Sequence, residues 1–240
     1  MRNFSSKIKV RLSVLDKDYQ PVKEQTADYD IRVDSFSIEK MYFIDELRLA
    51  LKPQKYVIGM NIQCVRDDWI LKEGVYRFTV SPRDYSYDSL TVSDIQLAAT
   101  VNETGTQKKF IKPNSDIAII PNPGTVVLRT KPLGIYYEIY YLTLDESMRC
   151  SYEIAYTIQM SGVKNIFNNI VSGLFTKSDA ASTRTITTKT GNRRTVYEYM
   201  LFDISELPPG EAKLTIRVKD NLSGQETTGT CRFTIADPKK

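Results

Sequence analysis

The sequence predicts a mainly-β chain: two tandem antiparallel β-sandwich domains, with one short amphipathic helix in the second. Three observations lead there. Runs rich in Val, Ile, Thr, Tyr and Phe alternate with period two along most of the 240 residues, the pattern of strands with one buried and one wet face. Clusters of Gly, Pro, Asn and Asp punctuate these runs at short intervals with no regular helix between them, which argues against a parallel α/β sheet. A segment also recurs. Gly74-Val75-Tyr76-Arg77-Phe78-Thr79-Val80 lies on Gly210-Glu211-Ala212-Lys213-Leu214-Thr215-Ile216, and Asp84 then falls on Asp220, so one unit is read as used twice.

Taken in order, 7–16 places Ile8, Val10, Leu12 and Val14 on one face and Lys9, Arg11 and Ser13 on the other. Asp18-Tyr19-Gln20-Pro21 is a turn, and strands follow over 21–33, 38–50, 55–66, 74–82 and 90–101. Tyr76, two residues after Gly74, is placed as the inward tyrosine of a corner whose phenol bonds back to upstream backbone. These six candidates leave the first domain, 1–104, short by about one strand. The second domain, 105–240, offers strands over 108–120, 124–130, 133–144, 149–160, 184–190, 194–204, 211–219 and 227–236. Between the fourth and fifth of these, Val163, Ile166, Phe167, Ile170, Val171, Leu174 and Phe175 form an apolar stripe at helical spacing. That helix, near 163–175, is expected to cap an open end of the second sandwich or to dock on a partner or a membrane surface.

Composition narrows function by exclusion. The 33 basic and 29 acidic side chains leave a formal charge of +4, too even for a nucleic-acid footprint. No apolar run is long enough for a membrane span. Histidine is absent, which removes the commonest general base and zinc ligand. No glycine-rich phosphate loop and no cysteine pair at metal spacing occurs, so no cofactor and no metal is expected. Cys64, Cys150 and Cys231 are each in phase with apolar neighbours; three buried thiols are one reading, and a Cys150–Cys231 bridge is the other. The acidic pairs Asp16/Asp18, Asp67/Asp68 and Asp84/Asp88 lack the spacing of a calcium loop and read as turns.

The most unusual local composition is Tyr136-Tyr137-Glu138-Ile139-Tyr140-Tyr141. Tyr136, Glu138 and Tyr140 share one face of a strand. A carboxylate between two aromatic rings suits a sugar or a cation, which makes these three the candidate ligand-binding residues. The alternative is structural, with Glu138 paired to a basic residue on the next strand and the rings packed as cross-strand pairs.

Several segments occur in the order found in bacterial GWxTD-domain proteins: Ser93-Asp94-Ile95-Gln96-Leu97-Ala98, Phe110-Ile111-Lys112-Pro113-Asn114, Ile120-Pro121-Asn122-Pro123 and Tyr136-Tyr137-Glu138-Ile139-Tyr140. Leu207-Pro208-Pro209-Gly210, Asp220 and Cys231-Arg232-Phe233-Thr234-Ile235 continue the series. The chain therefore resembles that family over nearly its whole length, although the Gly-Trp-x-Thr-Asp motif itself is absent and the single tryptophan is Trp69. The resemblance implies immunoglobulin-like sandwiches and a periplasmic or exported protein, while Met1–Lys7 lacks the apolar stretch of a secretory signal. The resulting expectation is a non-catalytic structural or protein-interaction module, not an enzyme. Its partner would be another protein or a further C-terminal module. The alternative is a carbohydrate or small-ligand module working through Tyr136, Glu138 and Tyr140.

Overall fold

A computed structural model of the chain describes residues 3–34, 44–67, 69–103, 108–113, 115–161 and 183–238. Their regular structure is strand, apart from a 3-10 turn at Lys108–Phe110. The helix expected near 163–175 lies outside the described residues. No helix among them is long and apolar enough to cross a membrane. The chain divides into two compact units, Met1–Asp84 and Tyr85–Lys240.

The first unit is built on β1 (Asn3–Leu15), β2 (Pro21–Asp34), β3 (Tyr56–Arg66) and β4 (Trp69–Val80), in the order β2-β1-β3-β4. All neighbours are antiparallel. The β1–β2 turn closes on Asp16, whose Oδ1 accepts the backbone N–H groups of Asp18 and Gln20, both at 2.9 Å. Alternation works as the sequence predicts. Leu12 and Val14 lie across from Met60 and Ile58, and those in turn from Tyr76 and Phe78. Leu12, Val14, Tyr56 and Ile58 are buried beneath Leu47, Leu49 and Leu51.

This differs from the expected first sandwich. Among the described residues the unit holds one sheet, not two. Residues 44–50 of the expected 38–50 strand are not strand, the remainder lying outside the described residues. The expected 90–101 strand belongs to the second unit, where its apolar residues find their partners; the structure thus divides the chain about twenty residues before the expected 104/105 boundary. The repeat is one of sequence but not of position. Gly74–Val80 sits on the outer strand of its sheet, whereas Gly210–Ile216 sits in the middle of one. Tyr76 is accordingly 55% exposed and makes no corner.

In the second unit the strands are β5 (Thr91–Val92), β6 (Gln96–Asn102), β7 (Ala118–Pro121), β8 (Val126–Leu128) and β9 (Leu133–Tyr140). There follow β10 (Cys150–Met160), β11 (Thr183–Gly191), β12 (Val196–Phe202), β13 (Gly210–Asp220) and β14 (Glu226–Ala236). One sheet runs β11-β10-β13-β14-β8, and the other runs β12-β9-β6-β7 with β5 also on β9. All pairs are antiparallel except β14–β8. Both sheets feed one core. Leu133, Ile135, Tyr137 and Ile139 of β9 share it with Tyr152, Ile154, Tyr156 and Ile158 of β10, and with Leu214, Ile216 and Val218 of β13. Each fully buried aliphatic side chain there contributes about 1.5–3 kcal/mol.

Gly134, on the other face of β9, is a glycine for a steric reason. A Cβ at that position would lie 2.9 Å from the Ala98 carbonyl oxygen, so glycine lets β6 approach β9. At the end of β9 the chain turns through Tyr141, whose φ is 65°. Tyr141, not Tyr76, sends its hydroxyl to an upstream carbonyl, that of Tyr85, and the Arg194 guanidinium lies 5.7 Å from its ring centroid.

Candidate functional site

β9 brings Tyr136, Glu138 and Tyr140 together as expected of alternate residues on one strand face. Their polar atoms meet one another. Tyr136 donates to Glu138 Oε1 and Tyr140 to Oε2, each at 2.8 Å. Ser93 clamps the same residue by its backbone. The Glu138 N–H donates to Ser93 Oγ, and the Ser93 N–H donates to the Glu138 carbonyl, both at 2.9 Å. Tyr136 is buried, with Lys112 Nζ 5.1 Å from its ring centroid, and the Tyr140 ring packs at 4.9 Å on that of Tyr85. Burial first, and then the bond to Glu138, raise the Tyr140 phenol well above the ordinary tyrosine range. The carboxylate is thus held by its two flanking phenols rather than by a basic residue. Both hydroxyls are already engaged and the Tyr136 ring is covered, so the trio has the geometry of a clasp.

On the opposite, inward face lies a cluster that sequence reasoning missed. Glu198 of β12 is 4% exposed. Tyr152 of β10 donates to its Oε1 at 2.6 Å, and Lys189 of β11 donates to Oε2. Beside them the hydroxyls of Tyr137 and Tyr156 share a hydrogen bond of 2.7 Å. Burial pushes the Tyr152 phenol up, as does its bond to Glu198. Burial also raises Tyr137, with further contributions from Tyr156 and the Glu198 charge. A signal existed: Glu198 shares its parity with Met200 and Phe202, both on the core side, and an inward carboxylate demands donors. A groove of about 870 Å³ runs past these strands, lined in part by Lys189, Arg193, Tyr197 and Tyr199.

The paired phenols make a clean test. Tyr137→Phe or Tyr156→Phe alone should lower stability by about 1–2 kcal/mol, because the surviving hydroxyl is left buried without its partner. The double variant should lose less than the sum, since neither hydroxyl then remains. Urea unfolding of the four proteins measures the cycle.

Asp220, at the end of β13, is fully buried. Its Oδ2 accepts the Thr143 N–H at 2.9 Å and the Ser223 hydroxyl at 2.8 Å, while Oδ1 accepts the Leu222 N–H at 3.0 Å. One carboxylate therefore joins the β13–β14 turn to the segment after β9. Of the acidic pairs, Asp16 serves its turn and Asp88 pairs with Arg194; Asp68 lies outside the described residues. No group of three or more Cys, Asp or Glu among the described residues is placed to hold a metal ion. All three cysteines are free thiols: Cys150 is buried, whereas Cys64 and Cys231 are half-buried, and the Cys150–Cys231 bridge does not form.

The first unit carries a feature of another kind. β4 is an outer strand whose apolar side chains are exposed on both faces. Tyr76 and Phe78 stand on the face they share with Met60 and Ile58, while Val75 stands on the face of Asn61. Trp69 is 76% exposed and Val75 is 72% exposed. No family model matches the chain, and no curated protein matches it.

Proposed function

We propose that the chain is a non-catalytic protein-interaction module that binds through β4. The observation that carries this reading is a strand apolar on both faces at the margin of its sheet, exposing Trp69, Val75 and Tyr76. Strands of that composition normally lie inside sheets, and an exposed one is a template for another chain. The second unit supports the same reading: Glu138, Glu198 and Asp220 are each held by internal donors, as structural carboxylates are. Its two sheets over a common core are in keeping with the immunoglobulin-like sandwich that the GWxTD resemblance implies, and that resemblance is the support for a place in the bacterial envelope.

A photo-crosslinking amino acid at position 76 tests the proposal in the producing cell, with position 211 on the exposed surface of β13 as control. Protein adducts are expected at 76 and not at 211. Equal labelling at the two positions, or none at 76, would overturn it.

A further inference from the structure

We infer that the chain pairs with a second copy of itself, β4 against the partner's β4, antiparallel about a two-fold axis through Val75. This rests on the interaction reading above and names its partner. The two outer strands of the first sheet are built differently. β2 begins at Pro21 and exposes Lys23, Glu24, Asp28 and Asp30, the usual protection against a further strand. β4 has no proline, and its charged residues are only Lys72, Glu73 and Arg77.

Those charges make β4 complementary to its own reverse. In an antiparallel pair, directly opposed residues point to the same face. With Val75 on the axis, Glu73 stands opposite the partner's Arg77, and Arg77 opposite the partner's Glu73. Gly74 then faces the partner's Tyr76 and brings no side chain against it. The other registers that keep like faces together are poorer. An axis at Glu73 or at Arg77 opposes like charges. An axis at Gly74 or Tyr76 sets Glu73 and Arg77 against uncharged residues.

The Glu73 carboxylate is already oriented for this contact. Its Oε1 accepts Asn61 Nδ2 at 2.6 Å and Gln63 Nε2 at 2.9 Å, amide bonds that hold its pKa below the ordinary value. Oε2 is left for a further donor, and the exposed Arg77 guanidinium has no hydrogen bond or ion pair among the described residues. Antiparallel pairing would supply the donor twice, once on each side of the axis, and extend the sheet from four strands to eight.

Sedimentation equilibrium of the full chain, carried into the hundreds of micromolar, is the test. The wild type should show a concentration-dependent dimer. Arg77→Glu, an exposed change that circular dichroism should show folded, places two like-charged pairs in contact and should weaken association at least about tenfold. Glu73→Arg combined with Arg77→Glu restores opposite charges and should recover most of the loss. A wild type that stays monomeric, a dimer indifferent to Arg77→Glu, or a double variant no better than the single would each overturn the pairing. Adducts at position 76 to other proteins from a chain that sediments as a monomer would defeat self-pairing and leave the interaction reading standing.

Discussion

Replacing Asp220 with alanine should lower the unfolding free energy of the chain by about 3–4 kcal/mol, measured as a fall in the urea midpoint. The carboxylate accepts from Thr143, Leu222 and Ser223, and two of those donors are backbone N–H groups with fixed positions. Alanine would leave them facing an apolar space. Asp220→Asn keeps one acceptor oxygen and should lose about half as much. Acid should reproduce part of the effect. Burial pushes the Asp220 carboxyl up, but the donors from Thr143, Ser223 and Leu222 outweigh it and hold the group below its ordinary value. A depressed folded pKa means a contribution present in full above the unfolded pKa of about 4 and lost as pH falls through the folded one. Wild-type stability should therefore decline more steeply below pH about 4 than that of Asp220→Asn. Parallel curves for the two proteins would refute this account.

Glu198→Ala should cost about 3 kcal/mol. It strands the Tyr152 hydroxyl in the core and leaves a void where the Cγ methylene and the carboxylate packed. Lys189 suffers less, because its side chain is 37% exposed and its ammonium can turn to water. Glu198→Gln preserves shape and an acceptor for Tyr152, so its loss should be nearer about 1 kcal/mol. Lys189→Met is the more damaging half of the pair to remove, since it keeps a buried carboxylate and takes away its cation. Chemical denaturation of the three variants gives the ranking, and a fully stable alanine variant would show that the groups do not meet in solution.

How much of this could be read from residue order depends on the range over which each signal acts. Period two is a property of neighbouring residues, so the strands containing Leu12, Ile154 and Ile216 were legible. So was the shared face of Tyr136, Glu138 and Tyr140. What those three bond to was not, because Ser93 and Lys112 reach them from elsewhere in the chain. The alternative of a basic partner for Glu138 failed for a local reason instead, as two tyrosines on its own strand satisfy the carboxylate. The sheet to which a strand belongs is harder still. Residues 90–101 alternate equally well for either unit, and what fixes them against β9 is long-range: the pairing of Thr91 and Val92 with its end, the Ser93 bonds to Glu138, and the close approach that Gly134 permits. Tyr76 illustrates the same limit. Its spacing from Gly74 suits a corner, but a corner needs upstream backbone within reach of a covered phenol, and among the described residues nothing covers the Tyr76 ring at the sheet margin.

The parallel pairing of β8 with β14 bears on the last residues described. Thr234, Ile235 and Ala236 have Val126, Val127 and Leu128 on one side, while Ile235 and Thr234 have Gly210 and Glu211 on the other. Arg129 extends the grip by donating its N–H to the Ala236 carbonyl at 3.0 Å and by pairing with Asp237. Local opening is easiest where few backbone hydrogen bonds hold a segment. Here two ladders must open before this stretch of β14 can leave the sheet, so loosening of this unit is least able to begin there.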